Sequence, residues 1–239
     1  MNTRISLAYS LIAVLTMSVL LSSCLHEEDP GPRQEMERDY AILDFDRLEM
    51  GDAFVISVQQ SPLFSVSVRG DRRNIDDLEV EKVGSTLRIR YDEPEYRQYT
   101  TYITITMPSL RGANFSGASV STVTGFNDLG ELDVTLSGAS VSQVSLEAQS
   151  LRLNLSGASK LTLSGEAAAL QATVSGASIY SGFAFGVDDA NVDVSGASKM
   201  HLTARQKLNA VATGASTVLY RGSPSVTSQV SGASSVQAD

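Results

Sequence analysis

The sequence predicts an all-β chain, most of it a β-solenoid, and three observations carry that expectation. The tetrapeptide Ser-Gly-Ala-Ser returns at nearly constant intervals, apolar and polar residues alternate beside each copy, and the interval is too short for a helix with its turns. Copies open at Ser116-Gly117, Ser137-Gly138, Ser156-Gly157, Ser175-Gly176, Ser195-Gly196 and Ser231-Gly232, with Thr213-Gly214 opening a conservative seventh. In chain order these starts lie 21, 19, 19, 20, 18 and 18 residues apart.

The residue before each copy is apolar (Phe115, Leu136, Leu155, Val174, Val194, Ala212, Val230). Two positions earlier the chain is mostly apolar again, from Ala113 and Val134 to Ala210, and the residue between is usually polar, as in Asn114, Thr135, Asn154 and Asp193. That is a strand with one buried face. A second strand follows the motif, as in Lys160-Leu161-Thr162-Leu163. An interval of about 19 residues holds such strands but leaves no room for a helix of about 11 residues plus turns, so it matches one coil of a β-helix. Stacked coils set equivalent residues ~4.8 Å apart and merge their apolar columns into one core.

Within the motif, Gly tolerates a sharp corner and Ala fills little space beneath it. The first and fourth serines are expected to stack as hydroxyl ladders. Their first role is structural, because a ladder satisfies its own hydroxyls; the same ladders also offer a flat hydroxylated face to a sugar or another ordered surface. Which motif serines face outward is left open by the sequence.

Residues 40–110 alternate in shorter runs, such as Phe54-Val55-Ile56-Ser57-Val58 and Tyr102-Ile103-Thr104-Ile105-Thr106, separated by Gly51-Asp52, Ser61-Pro62, Gly70-Asp71 and Gly84-Ser85. Period two and turn pairs predict an N-terminal β-meander portion. The segment from Arg73 to Val80 reads equally as a short helix or an extended crossing.

The chain opens with Arg4, an apolar run from Leu7 to Leu21, then Ser22, Ser23 and Cys24. Small residues before a cysteine suit a signal peptidase, and the thiol is what a diacylglyceryl group is attached to, so 1–23 reads as a lipoprotein signal and Cys24 as the lipidation site. An ordinary secretory signal and an uncleaved membrane helix are the alternatives; the apolar run is short for a span of about 20 residues. Loss of 1–23 leaves 216 residues with 17 basic against 27 acidic side chains, a net charge of −10, which argues against nucleic acid as a partner. Cys24 is the only cysteine.

Residues 24–39 are polar enough to be a tether. Its Glu27, Glu28 and Asp29 resemble the export signal with which Bacteroidetes lipoproteins reach the outer face of the outer membrane; a solvated linker with arbitrary charge is the plain alternative. The expected location is the outer membrane with the folded part at the cell surface, or else facing the periplasm.

With these parts in place, the chain resembles the family of the putative auto-transporter adhesin, head GIN domain. The likeness spans about residues 40–236 and rests on Phe45-Asp46-Arg47-Leu48 with Gly51-Asp52-Ala53-Phe54, on Val68-Arg69-Gly70-Asp71, Leu87-Arg88-Ile89, Met107-Pro108-Ser109-Leu110 leading into Phe115-Ser116-Gly117-Ala118-Ser119, and Tyr220-Arg221-Gly222-Ser223-Pro224. The resemblance implies a right-handed β-helix-like solenoid on a secreted or lipid-anchored protein. It supplies no catalytic residues.

The residues themselves point away from catalysis. Asp133 and Asp193 face outward in different columns, three coils or ~14 Å apart, too far for a carboxylate pair. Glu131 and Asp133, ~7 Å apart on one strand face, read as alternating acids on a solvated surface. Asp188-Asp189 reads as a solvated turn after Gly186. A calcium β-roll needs Asp in each repeat, and Ser-Gly-Ala-Ser has none; His26 and His201 are far apart with no cysteine besides Cys24, so no metal or cofactor is expected. A serine nucleophile would have only His201 for a base in the folded part.

These readings predict a non-enzymatic surface lipoprotein that binds a glycan or a protein, residues 111–239 forming its solenoid. The alternatives are a structural envelope component that self-associates through its open ends or edges and, remotely, a carbohydrate-active enzyme.

Overall fold

The computed structural model describes residues 31–93, 95 and 97–239. The signal, Cys24, and the trio Glu27, Glu28 and Asp29 lie outside the described residues. Residues Arg33–Asp239 form one unit.

The repeats fold as five long strands: β9 (Val120–Leu136), β10 (Val141–Leu155), β11 (Lys160–Val174), β12 (Ile179–Val194) and β13 (Lys199–Ala212). Strand β8 (Gly112–Phe115) leads into the first motif, and β14 (Thr217–Arg221), β15 (Ser225–Val230) and β16 (Ser235–Ala238) finish the array. Each long strand pairs in parallel with the next, as where β10 meets β11 from Val141 opposite Lys160 to Leu155 opposite Val174. This is the stacked-coil solenoid expected from the interval. Each coil carries two outer faces: a leading face just after the motif, with Thr122, Gln143 and Thr162, and a trailing face just before the next motif, with Asp133, Arg152 and Gln171.

The unequal coil lengths are absorbed between these faces. Register slips occur between Val144 and Ala148, between Thr162 and Ser164, and between Gly182 and Asp189, while the trailing faces stay paired residue for residue. Bulges let a strand bend and take an extra residue without disturbing the ladder on either side.

Inside, Leu136, Leu155, Val174, Val194 and Ala212 form one buried column and Leu132, Leu151, Leu170, Ala190 and Leu208 another. Burying a Leu or Val side chain contributes about 1.5–3 kcal/mol, so each coil adds a layer of such terms and shares it with both neighbours. Where β12 brings in the large Tyr180 and Phe185, it carries Ala190 in place of the leucines above and below, which keeps the layer's volume level. Full burial pushes the Tyr180 hydroxyl's pKa up from its ordinary value.

The N-terminal portion is all-β apart from one helical turn, but its strands do not follow one another as a meander. β2 (Arg47–Met50) and β3 (Val55–Gln60), with the turn Gly51-Asp52-Ala53-Phe54, form another coil of the solenoid: Met50 lies opposite Phe115 and Val55 opposite Val120, both in parallel pairs. The chain then departs through β4 (Ser65–Asp71), the helix α1 (Arg72–Asp76) and β5 (Leu78–Val83). It returns as β6 (Thr86–Tyr91) and β7 (Tyr102–Met107), parallel to β2 and β3 on the side away from the repeats. Antiparallel pairs β4·β7 and β5·β6 complete this end as a cap. Period-two alternation specifies which face of a strand is buried, not which strand it pairs with, so the sequence could not distinguish this interleaving from a meander.

Residues 35–39, expected to belong to the tether, are part of the sheet instead. β1 (Glu35–Asp39) pairs antiparallel with β4, from Glu35 opposite Asp71 to Asp39 opposite Ser67. The buried Asp71 carboxylate fixes the junction by accepting from the Gln34 and Arg73 amides at 2.7 and 3.0 Å and from the Arg73 guanidinium at 2.7 Å. The hydrogen bond from Arg73 is the main reason its pKa lies well below the usual carboxylate range. The open segment after Arg73 resolves into the end of α1, capped by Asp71, followed by β5.

Candidate functional site

The motif turns are built alike. Their glycines have φ between +68° and +79°, where a side chain is strained. From Gly138 onward a Cβ would also lie 2.4–2.8 Å from the carbonyl oxygen of the glycine one coil earlier. That oxygen accepts from the next alanine amide, as Gly138 O does from Ala158 N at 2.8 Å. Glycine is therefore fixed by backbone angle and by stacking together.

The fourth serines (Ser119, Ser140, Ser159, Ser178, Ser198, Ser216) are buried, the first serines from Ser116 to Ser195 and Thr213 are half-buried, and Gly and Ala face solvent. In the last copy Ser231 and Gly232 are exposed. The expected hydroxyl ladder is mostly replaced by bonds to backbone. Ser140 Oγ donates to Ser137 O at 2.6 Å and Ser159 Oγ to Ser156 O at 2.5 Å; Ser216 Oγ reaches Val194 O at 3.0 Å, and motif serines meet one another only in weak rungs such as Ser119 to Ser140 at 3.4 Å, the short rung of 2.8 Å joining Ser121 and Ser142 outside the motif. A carbonyl three residues back is nearer than the neighbouring hydroxyl and is the better acceptor. The buried column thus offers no hydroxyl face to a ligand, and the alanine that was to fill the space under the corner points outward instead.

The trailing face carries polar groups that solvent can reach. One column runs Arg47, Gly112, Asp133, Arg152, Gln171, Asn191, Asn209 and the next runs Glu49, Asn114, Thr135, Asn154, Thr173, Asp193. The Arg47 guanidinium lies over Gly112, whose added Cβ would meet Nη1 at 2.6 Å, and reaches Asp133 Oδ2 at 3.3 Å. Asp133 Oδ1 accepts from Arg152 Nη1 at 2.8 Å, and Asn209 Nδ2 donates to Asn191 Oδ1 at 2.7 Å. Beside them Arg88 donates to Glu49 at 3.0 Å and Glu81 at 3.3 Å, which raise its pKa, Glu49 most. Between Arg47 and Asn154 lies an open depression of about 440 Å³, lined also by Asn114, Thr135 and Thr86. Amides, hydroxyls and paired charges at ~4.8 Å intervals present donors and acceptors in a repeating array, the chemistry that recognises a hydroxylated ligand.

The remaining candidates are not brought together. Register keeps Asp133 and Asp193 three coils and one column apart. Asp133 is shared between two guanidiniums, and Glu131 is exposed at the edge of the same face. Asp188-Asp189 lies within β12 instead of a free turn; Asp188 pairs with Arg205, which also holds Glu166 at 2.7 Å, beside a second depression of about 340 Å³. His201 stacks on Phe183 with centroids 5.1 Å apart. His26 lies outside the described residues.

Sequence reasoning missed two features. The coil at Gly51–Phe54 lacks the motif, although Met50 and Val55 frame four residues just as Phe115 and Val120 do. The reach of Arg47 over Gly112 depends on that hidden coil, so nothing in the sequence alone paired Arg47 with Asp133.

Solved structures share this fold. A putative adhesin from Bacteroides fragilis superposes with a TM-score of 0.79 at 20% identity, over 87% of this chain and 98% of its own. A putative adhesin from Parabacteroides distasonis gives 0.72 at 16% over the same shares, and a putative lipid binding protein from that organism gives 0.69 at 17% over 86% and 96%. At these identities the likeness is one of fold. No curated protein matches the chain. The sequence profile of one family matches residues 44–224, most of the chain, and on that match the protein belongs to the family of the putative auto-transporter adhesin, head GIN domain.

Proposed function

We propose that the protein is a non-enzymatic binding module, held at the outer surface of the outer membrane by a lipid on Cys24, with a glycan or a protein as its ligand. The observation that carries this reading is the trailing face, where Asn114, Thr135, Asn154 and Gln171 stand at fixed intervals around the paired charges of Arg47, Asp133 and Arg152. Such a surface suits hydroxylated ligands held by many modest hydrogen bonds. Membership of an adhesin family and the lipobox support display at the surface. One structural relative is described as a lipid binding protein, yet the depression here is lined by charged and amide groups, which favour a polar ligand over an acyl chain.

The test is an array of glycans and matrix proteins probed with the full lipidated protein in detergent. Retention by at least one class, weakened by Asn154→Ala or Arg152→Ala, is expected; a folded protein that binds none contradicts the reading, as does steady release of reducing ends from a polysaccharide. Cys24→Ala is expected to move the protein from the membrane to the soluble fraction, and an unchanged membrane fraction would refute lipid anchoring.

A further inference from the structure

Charge is sorted between the two faces. The motif and leading face of successive coils comprise residues 116–124, 137–145, 156–164, 175–183, 195–203 and 213–221, about half of the chain from Ser116 to Arg221. They contain no Asp or Glu, while all eight acidic residues of that stretch fall on the bends and the trailing face; the flanking coils carry one acid each at these positions, Asp52 beside the first motif and Asp239, which is tied to Arg221. This happens in a protein with a net charge of −9. Packing does not forbid acids there, because Thr122, Gln143 and Thr162 point outward and are as exposed as the acids opposite.

The leading face carries cations instead. Lys160 and Lys199 stand in one column with Ile179 between them, two coils or ~10 Å apart. Both are exposed, and among the described residues neither is engaged in an ion pair, whereas Arg152 and Arg205 on the other surfaces are tied to carboxylates. Beside them Thr122, Gln143, Thr162 and Ser181 form an adjoining column. Val120 and Val141 continue the lysine column, 46% and 39% exposed, and give small apolar surfaces of the kind on which the C–H face of a sugar ring rests.

We propose that the leading face binds a linear anionic polysaccharide laid along the direction of coil stacking. Lys160 and Lys199 pair with carboxylate or sulfate groups on alternate sugars, and the Thr122 to Ser181 column hydrogen-bonds the hydroxyls between them. Repulsion explains why acids are missing from the six coils between Ser116 and Arg221, where the track lies, since a carboxylate beside it would oppose a polyanion there. A membrane surface fits less well, because the exposed apolar groups are valines in a flat row and not the large aromatic and leucine side chains that insert into lipid. The proposal rests on the reading of the protein as a binding module but places this ligand on a different face.

The test titrates the full lipidated protein in detergent with chondroitin sulfate and, separately, with uncharged dextran of similar length. Chondroitin sulfate is expected to bind, more weakly as salt rises, and dextran to bind far less. The double variant Lys160→Gln/Lys199→Gln is expected to weaken binding about tenfold with the melting temperature unchanged, whereas Lys82→Gln/Lys207→Gln, the same charge change elsewhere, leaves it intact. Equal binding of dextran, or equal loss in both double variants, overturns the proposal. Binding of anionic phospholipid vesicles in place of chondroitin sulfate, lost with Lys160 and Lys199, assigns the face to a membrane surface and overturns it too. If the protein binds other ligands but no polyanion, only this inference falls; if it binds no ligand at all, the binding-module reading falls with it.

Discussion

Replacing Gly157 by alanine isolates what the motif contributes to stability. Gly157 has φ +73° and a Cβ there would sit 2.5 Å from Gly138 O, the oxygen that accepts from Ala158 N at 2.8 Å. The left-handed backbone costs an alanine about 1–2 kcal/mol. Overpacking against a backbone oxygen adds about 1–3 kcal/mol, and weakening the Ala158 hydrogen bond adds about 1 kcal/mol. The stiffer unfolded chain of the alanine variant offsets roughly 0.5 kcal/mol, which leaves about 2.5–5.5 kcal/mol. Gly84, in the turn between β5 and β6, is the control: its φ is +62° but nothing lies within 4 Å of an added Cβ, so Gly84→Ala should lose only about 1 kcal/mol. At about 2–4 °C per kcal/mol for a domain of this size, thermal denaturation should show a drop of about 10 °C for Gly157→Ala and a few degrees for Gly84→Ala. Hydrogen exchange in the variant should rise first in β10 and β11. Equal losses in the two variants would refute the claim that coil stacking, and not backbone angle alone, selects glycine.

Three further outcomes follow from particular contacts. The Asp71 carboxylate, held ionised by Arg73 and by the Gln34 amide, has a folded pKa below its unfolded value, so its contribution is complete above the ordinary carboxylate range near pH 4 and is lost as pH falls through the folded value. Acid titration of the native protein should therefore lose stability below about pH 4, and Asp71→Asn, destabilised by about 2 kcal/mol at neutral pH, should show a shallower acid limb. Ser140→Ala removes the donor to Ser137 O and should cost about 1 kcal/mol in a urea titration, whereas Ser178→Ala removes a buried hydroxyl that has no partner among the described residues and should be neutral or slightly stabilising. Asp133→Ala breaks ion pairs whose members are all more than a third exposed on the aspartate's and arginines' side chains, so the urea midpoint should move by less than about 1 kcal/mol even if ligand binding is weakened.

The repeat announced its own architecture because a solenoid corner needs the same backbone angle in every coil, and the glycine that supplies it leaves a visible mark. The coil at Gly51–Phe54 turns its corner differently, with Asp52 and Ala53 both at positive φ (+56° and +59°) where each repeat has only its glycine, and Phe54 takes the place of the buried serine, so it left no such mark. The cap was illegible for a different reason: the alternation in β4 through β7 is as regular as in the repeats, and pairing direction is decided by tertiary contacts. Outward columns such as Asn114, Thr135 and Asn154 could be read from the spacing of the motif. Their junction with Arg47, Glu49 and Arg88 could not, because those residues join the face from the hidden coil and the cap. The fate of the fourth serine also needed coordinates, since only they show a backbone carbonyl within 2.6 Å of Ser140 Oγ.

Each binding claim requires the solenoid to lie outside the cell, so the most direct measurement is antibody labelling and protease accessibility on intact cells, comparing the native protein with a variant in which Glu27, Glu28 and Asp29 are replaced by alanine. The native protein should be labelled and cleaved on intact cells, and the variant only after the outer membrane is permeabilised. A native protein that stays shielded until permeabilisation contradicts surface display, leaving a component that faces the periplasm.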